Sequence, residues 1–115
     1  MKGAVDISTS ATTGDDLLRM LAALANPHRL RIVAALVGGR NYVSQLARQL
    51  GISRPLLHMH LQRLEKAGLV TSSLELSEDG KAMRYFEVAP FAFTLSPPAI
   101  AEATLTLSAD AKSDS

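Results

Sequence analysis

The sequence predicts a mainly α domain closed by one small β-hairpin, and three observations predict it. Apolar residues recur at the spacing of one helical face in five stretches between residues 15 and 107. Between residues 69 and 88 the spacing changes to the alternation of a strand. The apolar material is largely Leu and Ala, with three Phe, two Tyr and no Trp, which suits packed helices. The chain has 115 residues, enough for one domain. Its 31 Leu, Ile, Val and Phe residues place it among chains that collapse around a core. We read residues 14–107 as that domain, with flexible polar tails at 1–13 and 108–115. So small a domain buries a modest share of its surface, and a dimer partner would add stability.

Thr13-Gly-Asp-Asp16 has the spacing of a capping box and opens a first helix over about 15–25. Leu17, Leu21 and Leu24 fall on one face, which Leu18 and Ala22 widen. Asn26-Pro27 stops that helix and starts a second, over about 27–37. Asn caps, and Pro at the first position gives up no hydrogen bond. Leu30, Val33, Ala34 and Val37 are the expected buried face of the second helix, and Gly38-Gly39 ends it. Val43, Leu46, Ala47 and Leu50 mark a short third helix that Gly51 terminates. Ser53 caps a fourth over about 54–67, with Pro55 tolerated in its first turn. There Leu57, Leu61 and Leu64 face the core, and Gly68 stops the helix. Leu69 to Leu76 and Ala82 to Val88 are strands joined by the turn Ser77-Glu-Asp-Gly80. After an apolar connector, Phe91 to Leu95, Ser96 caps a last helix over about 97–107. Its apolar side is Ala99, Ile100, Ala103 and Leu107.

The stretch from Val43 to Leu64 is a helix-turn-helix by its physics. Ala47 is small where a second helix must pack close, and Gly51 supplies the turn. Leu46, Leu50, Ile52, Leu57 and Leu61 form the wedge that sets the angle between the helices. A hairpin directly after the second helix is a wing, so the expected fold is a winged helix-turn-helix domain. Charge agrees with a polyanion-binding face. The net charge is only +1, yet it divides as −1 over 1–26, +4 over 27–88 and −2 over 89–115. Within 27–66 seven bases (Arg29, Arg31, Arg40, Arg48, Arg54, Arg63, Lys66) face one acid, Glu65.

Three segments carry a family resemblance: Leu24-Ala-Asn-Pro-His-Arg-Leu-Arg-Ile-Val33, Val43-Ser-Gln-Leu-Ala47, and the run from Ile52 to Val70. The most specific block is His60-Leu61 followed by Leu64-Glu-Lys-Ala-Gly-Leu-Val70 and Arg84-Tyr85. From about residue 16 to 88 the chain resembles the ArsR/SmtB-type winged-helix transcriptional regulators. The resemblance implies a homodimer that represses transcription, with the first and last helices forming the dimer interface. The apolar faces of those two helices agree, since one small domain has little else to cover them. It also implies that His60 is a structural histidine beside the core.

A recognition helix turns its outer face to the major groove. With the core stripe on Leu57, Leu61 and Leu64, the opposite face carries Pro55, His58, Met59, Gln62 and Lys66, and Arg54 sits at the amino end. Arg54 suits a bidentate pair with guanine, Gln62 suits adenine, and Met59 suits a thymine methyl. His58 is either a base or phosphate donor or a bystander. Arg48, Arg63 and Lys66 fit phosphate contacts, which hold register without specifying sequence. On the wing, Lys81 and Arg84 are candidates for backbone or minor-groove contact. The acids Glu78 and Asp79 at its tip oppose phosphates, so the tip is lifted away or neutralised by Lys81 and Arg84. Arg29 and Arg31 are solvated, pair within the domain or touch DNA.

Without cysteine there is no disulfide, no zinc-thiolate site and no thiol catalysis. His58 and His60 point about 200° apart on a helix and cannot share an ion, and the only other His is His28. Where the family holds a thiolate metal site this chain has Tyr42-Val-Ser44, and no His follows His60 for a site on the last helix. We expect no metal and no cofactor. Nor is there a phosphate-cradling Gly loop or a His–carboxylate pair, so an enzyme is not expected. Met1 to Gly14 has no apolar run, and the longest uncharged stretch, Val88 to Ala101, is short and holds three prolines. The expectation is a cytoplasmic protein that binds double-stranded DNA and no membrane. Two alternatives remain: a winged helix that binds an acidic protein partner, and a regulator gated by a small organic effector under Phe91, Phe93 and the last helix.

Overall fold

The computed structural model describes residues 13–108. The expected tails lie almost wholly outside the described residues. The elements are α1 (Gly14–Leu24), α2 (Pro27–Val37), β1 (Asn41–Tyr42), α3 (Val43–Leu50), α4 (Arg54–Lys66), β2 (Val70–Leu76), β3 (Ala82–Val88) and α5 (Pro97–Thr104). The described residues group into two compact units, one spanning Ala23–Ala89 and one made of residues 13–22 and 90–108. Among the described residues no single helix is long and apolar enough to cross a membrane.

The Ala23–Ala89 unit holds the helix-turn-helix and the wing. Asn26 caps α2, its side-chain oxygen accepting from the backbone N–H of His28 at 2.9 Å and Arg29 at 3.4 Å. Gly51 adopts φ 71° and closes α3, its N–H donating to the Ala47 carbonyl at 2.8 Å. Ser53 then caps α4, its hydroxyl accepting from Leu56 N–H at 3.2 Å. Of the expected wedge, Leu46, Leu57 and Leu61 are buried while Leu50 and Ile52 are only half-buried, and Ala47 and Leu64 are buried beside them. Ile32, Leu36, Leu69, Val70 and Phe86 complete this core. The sheet is antiparallel in the order β1-β3-β2. Val70 lies opposite Val88 and Leu76 opposite Ala82. Gly80, with φ 85°, closes the hairpin by donating its N–H to the Ser77 carbonyl at 3.0 Å.

Two features of this unit differ from the sequence reading. The buried face of α2 is Arg29, Ile32 and Leu36, whereas Leu30 and Val37 are 55% and 71% exposed and Ala34 is exposed as well. The helix is apolar nearly all round, so spacing alone left its rotation undetermined, and a buried arginine decides it. The short strand β1 lies in what reads as a loop. Its two residues pair with Phe86 and Tyr85, a long-range contact without local signature.

In the other unit, Thr13 accepts from Asp16 N–H at 3.1 Å, while the Asp16 carboxylate pairs with Arg19 at 2.7 Å. The start of α1 lies against the end of α5. Gly14 N–H donates to Thr106 Oγ1 at 2.7 Å, and a Cβ on Gly14 would stand 2.3 Å from the Ala103 carbonyl. Leu17 is buried, but Leu18, expected to widen that stripe, is exposed. The last helix ends at Thr104, short of the expected 107, and buries none of its residues.

Candidate nucleic-acid interface

The helix-turn-helix sets α4 with one face in the core and the other outward. Arg54, Pro55, His58, Met59, Gln62, Arg63 and Lys66 are all exposed along it. Arg48 is exposed on α3, and Lys81 and Arg84 are exposed on the wing. All ten residues nominated from the sequence therefore reach the surface. The wing is tied to α4 on one side. Ser72 Oγ donates to Glu65 Oε2 at 2.9 Å, and Arg84 Nη1 donates to Ser72 Oγ at 3.2 Å. Met59, Gln62, Arg63 and Lys66 line one open hollow together with Glu65.

The basic face is smaller than the charge count suggests. Both terminal nitrogens of Arg40 donate to the Glu75 carboxylate, Nη2 to Oε1 at 3.0 Å. The Arg40 guanidinium also lies 4.3 Å over the Tyr85 ring, which meets Tyr42 edge-on. The hydrogen bond from Arg40 holds the Glu75 carboxyl below its ordinary range. Arg29 is withdrawn too, into the core. Five of the seven bases remain exposed and, among the described residues, without a carboxylate partner: Arg31, Arg48, Arg54, Arg63 and Lys66. At the wing tip the Ser77 hydroxyl donates to Asp79 and lowers its carboxyl pKa, which keeps that position anionic.

Arg29 is 8% exposed and His60 3%. Of the three alternatives for Arg29, pairing within the domain is the observed one. Its Nε donates to the Ala23 carbonyl at 2.5 Å, and its Nη1 lies 2.9 Å from His60 Nδ1. The His28 ring lies 5.3 Å from that of His60. Burial lowers the Arg29 pKa first and nearby Arg63 second. Burial likewise pushes His60 below its ordinary value, helped by Arg29, His28 and Arg63. His60 is thus packed, as the resemblance implies, whereas the inward turn of Arg29 carries no local signal. Among the described residues no group of three or more His, Asp or Glu side chains could hold a metal ion.

Comparison with known proteins accords with this geometry. Residues 26–72, from the α2 cap into β2, match the family described as "Bacterial regulatory protein, arsR family". An uncharacterized HTH-type transcriptional regulator of Methanocaldococcus jannaschii, MJ0229, is 38% identical over 78 residues, covering 68% of this chain and 81% of the relative. The HTH-type transcriptional regulator CmtR of Mycobacterium tuberculosis is 42% identical over 69 residues, covering 60% of this chain but only 55% of the relative. A solution structure from Mycobacterium bovis, described as a homodimeric winged helix-turn-helix DNA-binding domain of a possible ArsR-family regulator, superposes with a TM-score of 0.59. It is 25% identical, with 87% of this chain and 80% of that one covered. The chain belongs to the ArsR family of bacterial regulatory proteins, transcriptional regulators that bind DNA through a winged helix-turn-helix.

Proposed function

We propose that this chain, through residues 14–107, acts in the cytoplasm as a homodimeric repressor that docks α4 into the major groove of an inverted-repeat operator. The observation that carries the reading is the outward face of α4, where seven nominated side chains stand exposed over a helix anchored by three buried leucines. Arg54 reads guanine, Gln62 reads adenine, and Met59 touches a thymine methyl, with Pro55 exposed on the same face. His58 donates to a base edge or phosphate. Arg48, Arg63 and Lys66 hold phosphates, and Lys81 and Arg84 approach the backbone from the wing. Leu18, Ile100, Leu105 and Leu107 leave apolar surface on and beside α1 and α5 for a second copy, and the M. bovis domain is itself homodimeric. A two-fold axis would then space the two recognition helices roughly 34 Å apart, one turn of duplex.

Selection of bound duplexes from a random pool, with the full chain and no added effector, tests this directly. Enrichment of an inverted repeat is expected. If a dimer neutralises about six phosphates, log affinity against log salt should have a slope of roughly −5. Retention no better than non-specific binding would overturn the reading in favour of a protein-binding winged helix.

A further inference from the structure

The DNA-binding reading leaves Arg29 and His60 unused, although they are the buried polar side chains of the Ala23–Ala89 unit. One guanidinium joins three segments: the end of α1 through the Ala23 carbonyl, the first turn of α2, and the middle of α4 through His60. A guanidinium only donates. The Nδ1 atom of His60 must therefore offer a lone pair, which places the neutral ring's proton on Nε2. That Nε2 is buried without a hydrogen-bond partner among the described residues. His60 also sits between exposed His58 and Gln62 and one turn before Arg63, so the tie acts at the centre of the helix that faces the duplex.

We propose that Arg29 is a positioning residue for α4, acting through His60, and that duplex binding by this chain requires His60 to be neutral. This rests on the DNA-binding reading. A second proton on the imidazole would set N–H against N–H across the 2.9 Å contact. Among the described residues the charged groups that act on the ring all oppose the added charge. Arg29 and His28 face the ring from α2 and Arg63 lies close on α4, and among the described residues neither arginine has a carboxylate partner. The same burial and cations hold His60 below its ordinary value of 6.5 in the folded chain. Protonating exposed histidines ordinarily strengthens a DNA-binding protein by adding positive charge. Here acid releases α4 from α2, and the expected sign is reversed.

The test measures binding of the full chain to a duplex enriched from the random pool, at constant ionic strength, from about pH 7.5 to about pH 5.5. Circular dichroism at each pH confirms that the chain is folded. The wild type is expected to lose affinity as pH falls through the lowered His60 value, by less than the roughly tenfold that an imidazole at its ordinary value would give at pH 5.5. His60→Asn places an amide oxygen where Nδ1 stood and cannot titrate, so its affinity should stay level or rise as pH falls. Wild-type binding that is unchanged or tightens in acid overturns the proposal, and so does His60→Asn weakening in parallel. Nitrogen NMR of the wild type needs no variant: a neutral ring protonated at Nε2 is expected, and a proton on Nδ1 overturns the tie. A chain that binds no duplex at any pH fails the DNA-binding reading itself, while the tautomer still reports separately on the tie.

Discussion

Helices α2 and α4 pack on the same core with opposite habits. On α4, Leu57, Leu61 and Leu64 are buried, and apart from His60 the polar side chains face solvent. On α2 the buried set includes a cation, Arg29, while Leu30, Ala34 and Val37 form an exposed apolar stripe one and two turns apart. A helix held by apolar burial leaves its polar face free for a partner, and α4 is such a helix. A helix that carries its arginine inward is rotated by hydrogen bonds, and its apolar surplus is left outside. The two meet at the Arg29–His60 contact, where the polar anchor of α2 reaches the only polar residue that α4 buries.

The sharpest way to break this contrast is to hollow the α4 anchor. Leu61 is fully buried, so Leu61→Ala should cost about 2–5 kcal/mol in urea unfolding. Leu30→Ala on the exposed stripe of α2 should cost far less, and equal losses would mean that the two helices are not held differently. The second effect falls on binding. Arg54→Ala should leave stability unchanged and weaken operator binding by about 1–3 kcal/mol, with preference relaxed at one base position. A uniform loss on every duplex would reassign Arg54 to a phosphate.

The contrast also explains which parts of the molecule were legible in the sequence. On α4, Leu57, Leu61 and Leu64 fix the rotation of the helix, and every nominated contact residue follows from it. The Gly51 turn and the Ser77–Gly80 hairpin likewise announce themselves through residue types that the backbone there requires. On α2, Leu30, Ile32, Val33, Ala34, Ala35, Leu36 and Val37 together point in nearly all directions, so periodicity offers several rotations and spacing cannot choose. What chooses is a contact across 31 residues, from Arg29 to His60. The Arg40–Glu75 pair, 35 residues apart, and strand β1 are of the same kind. Such contacts exist only once the fold has formed, and charge counting along the chain overstates the free basic surface for the same reason.

A third, smaller effect titrates the point where the helices meet. His60 in the folded chain lies below its unfolded value of 6.5, so the unfolded state binds more protons in the range beneath that value. Its contribution to stability is complete above pH 6.5 and is lost as pH falls through the lowered folded value. Glu75 and Asp79, also lowered, begin to lose theirs only below their ordinary values of 4.5 and 3.8. Thermal unfolding should therefore show a decline in melting temperature that starts just below pH 6.5 in the wild type and is absent in His60→Asn. A decline confined to the carboxylate range would place His60 outside the linkage.

The smallest effect tests the exposed side of α2. Val37 is 71% exposed, so Val37→Ser should change stability by no more than about 0.5 kcal/mol. Its value lies in how it depends on protein concentration. Leu30, Ala34 and Val37 share one face, and a second copy covering that face would make the serine costly only where the dimer is populated. A cost that grows with concentration would extend the proposed dimer contact from α1 and α5 onto α2. A small, concentration-independent change would leave α2 as a helix whose rotation is set from inside, by one arginine, with its outer leucine and valine simply tolerated by water.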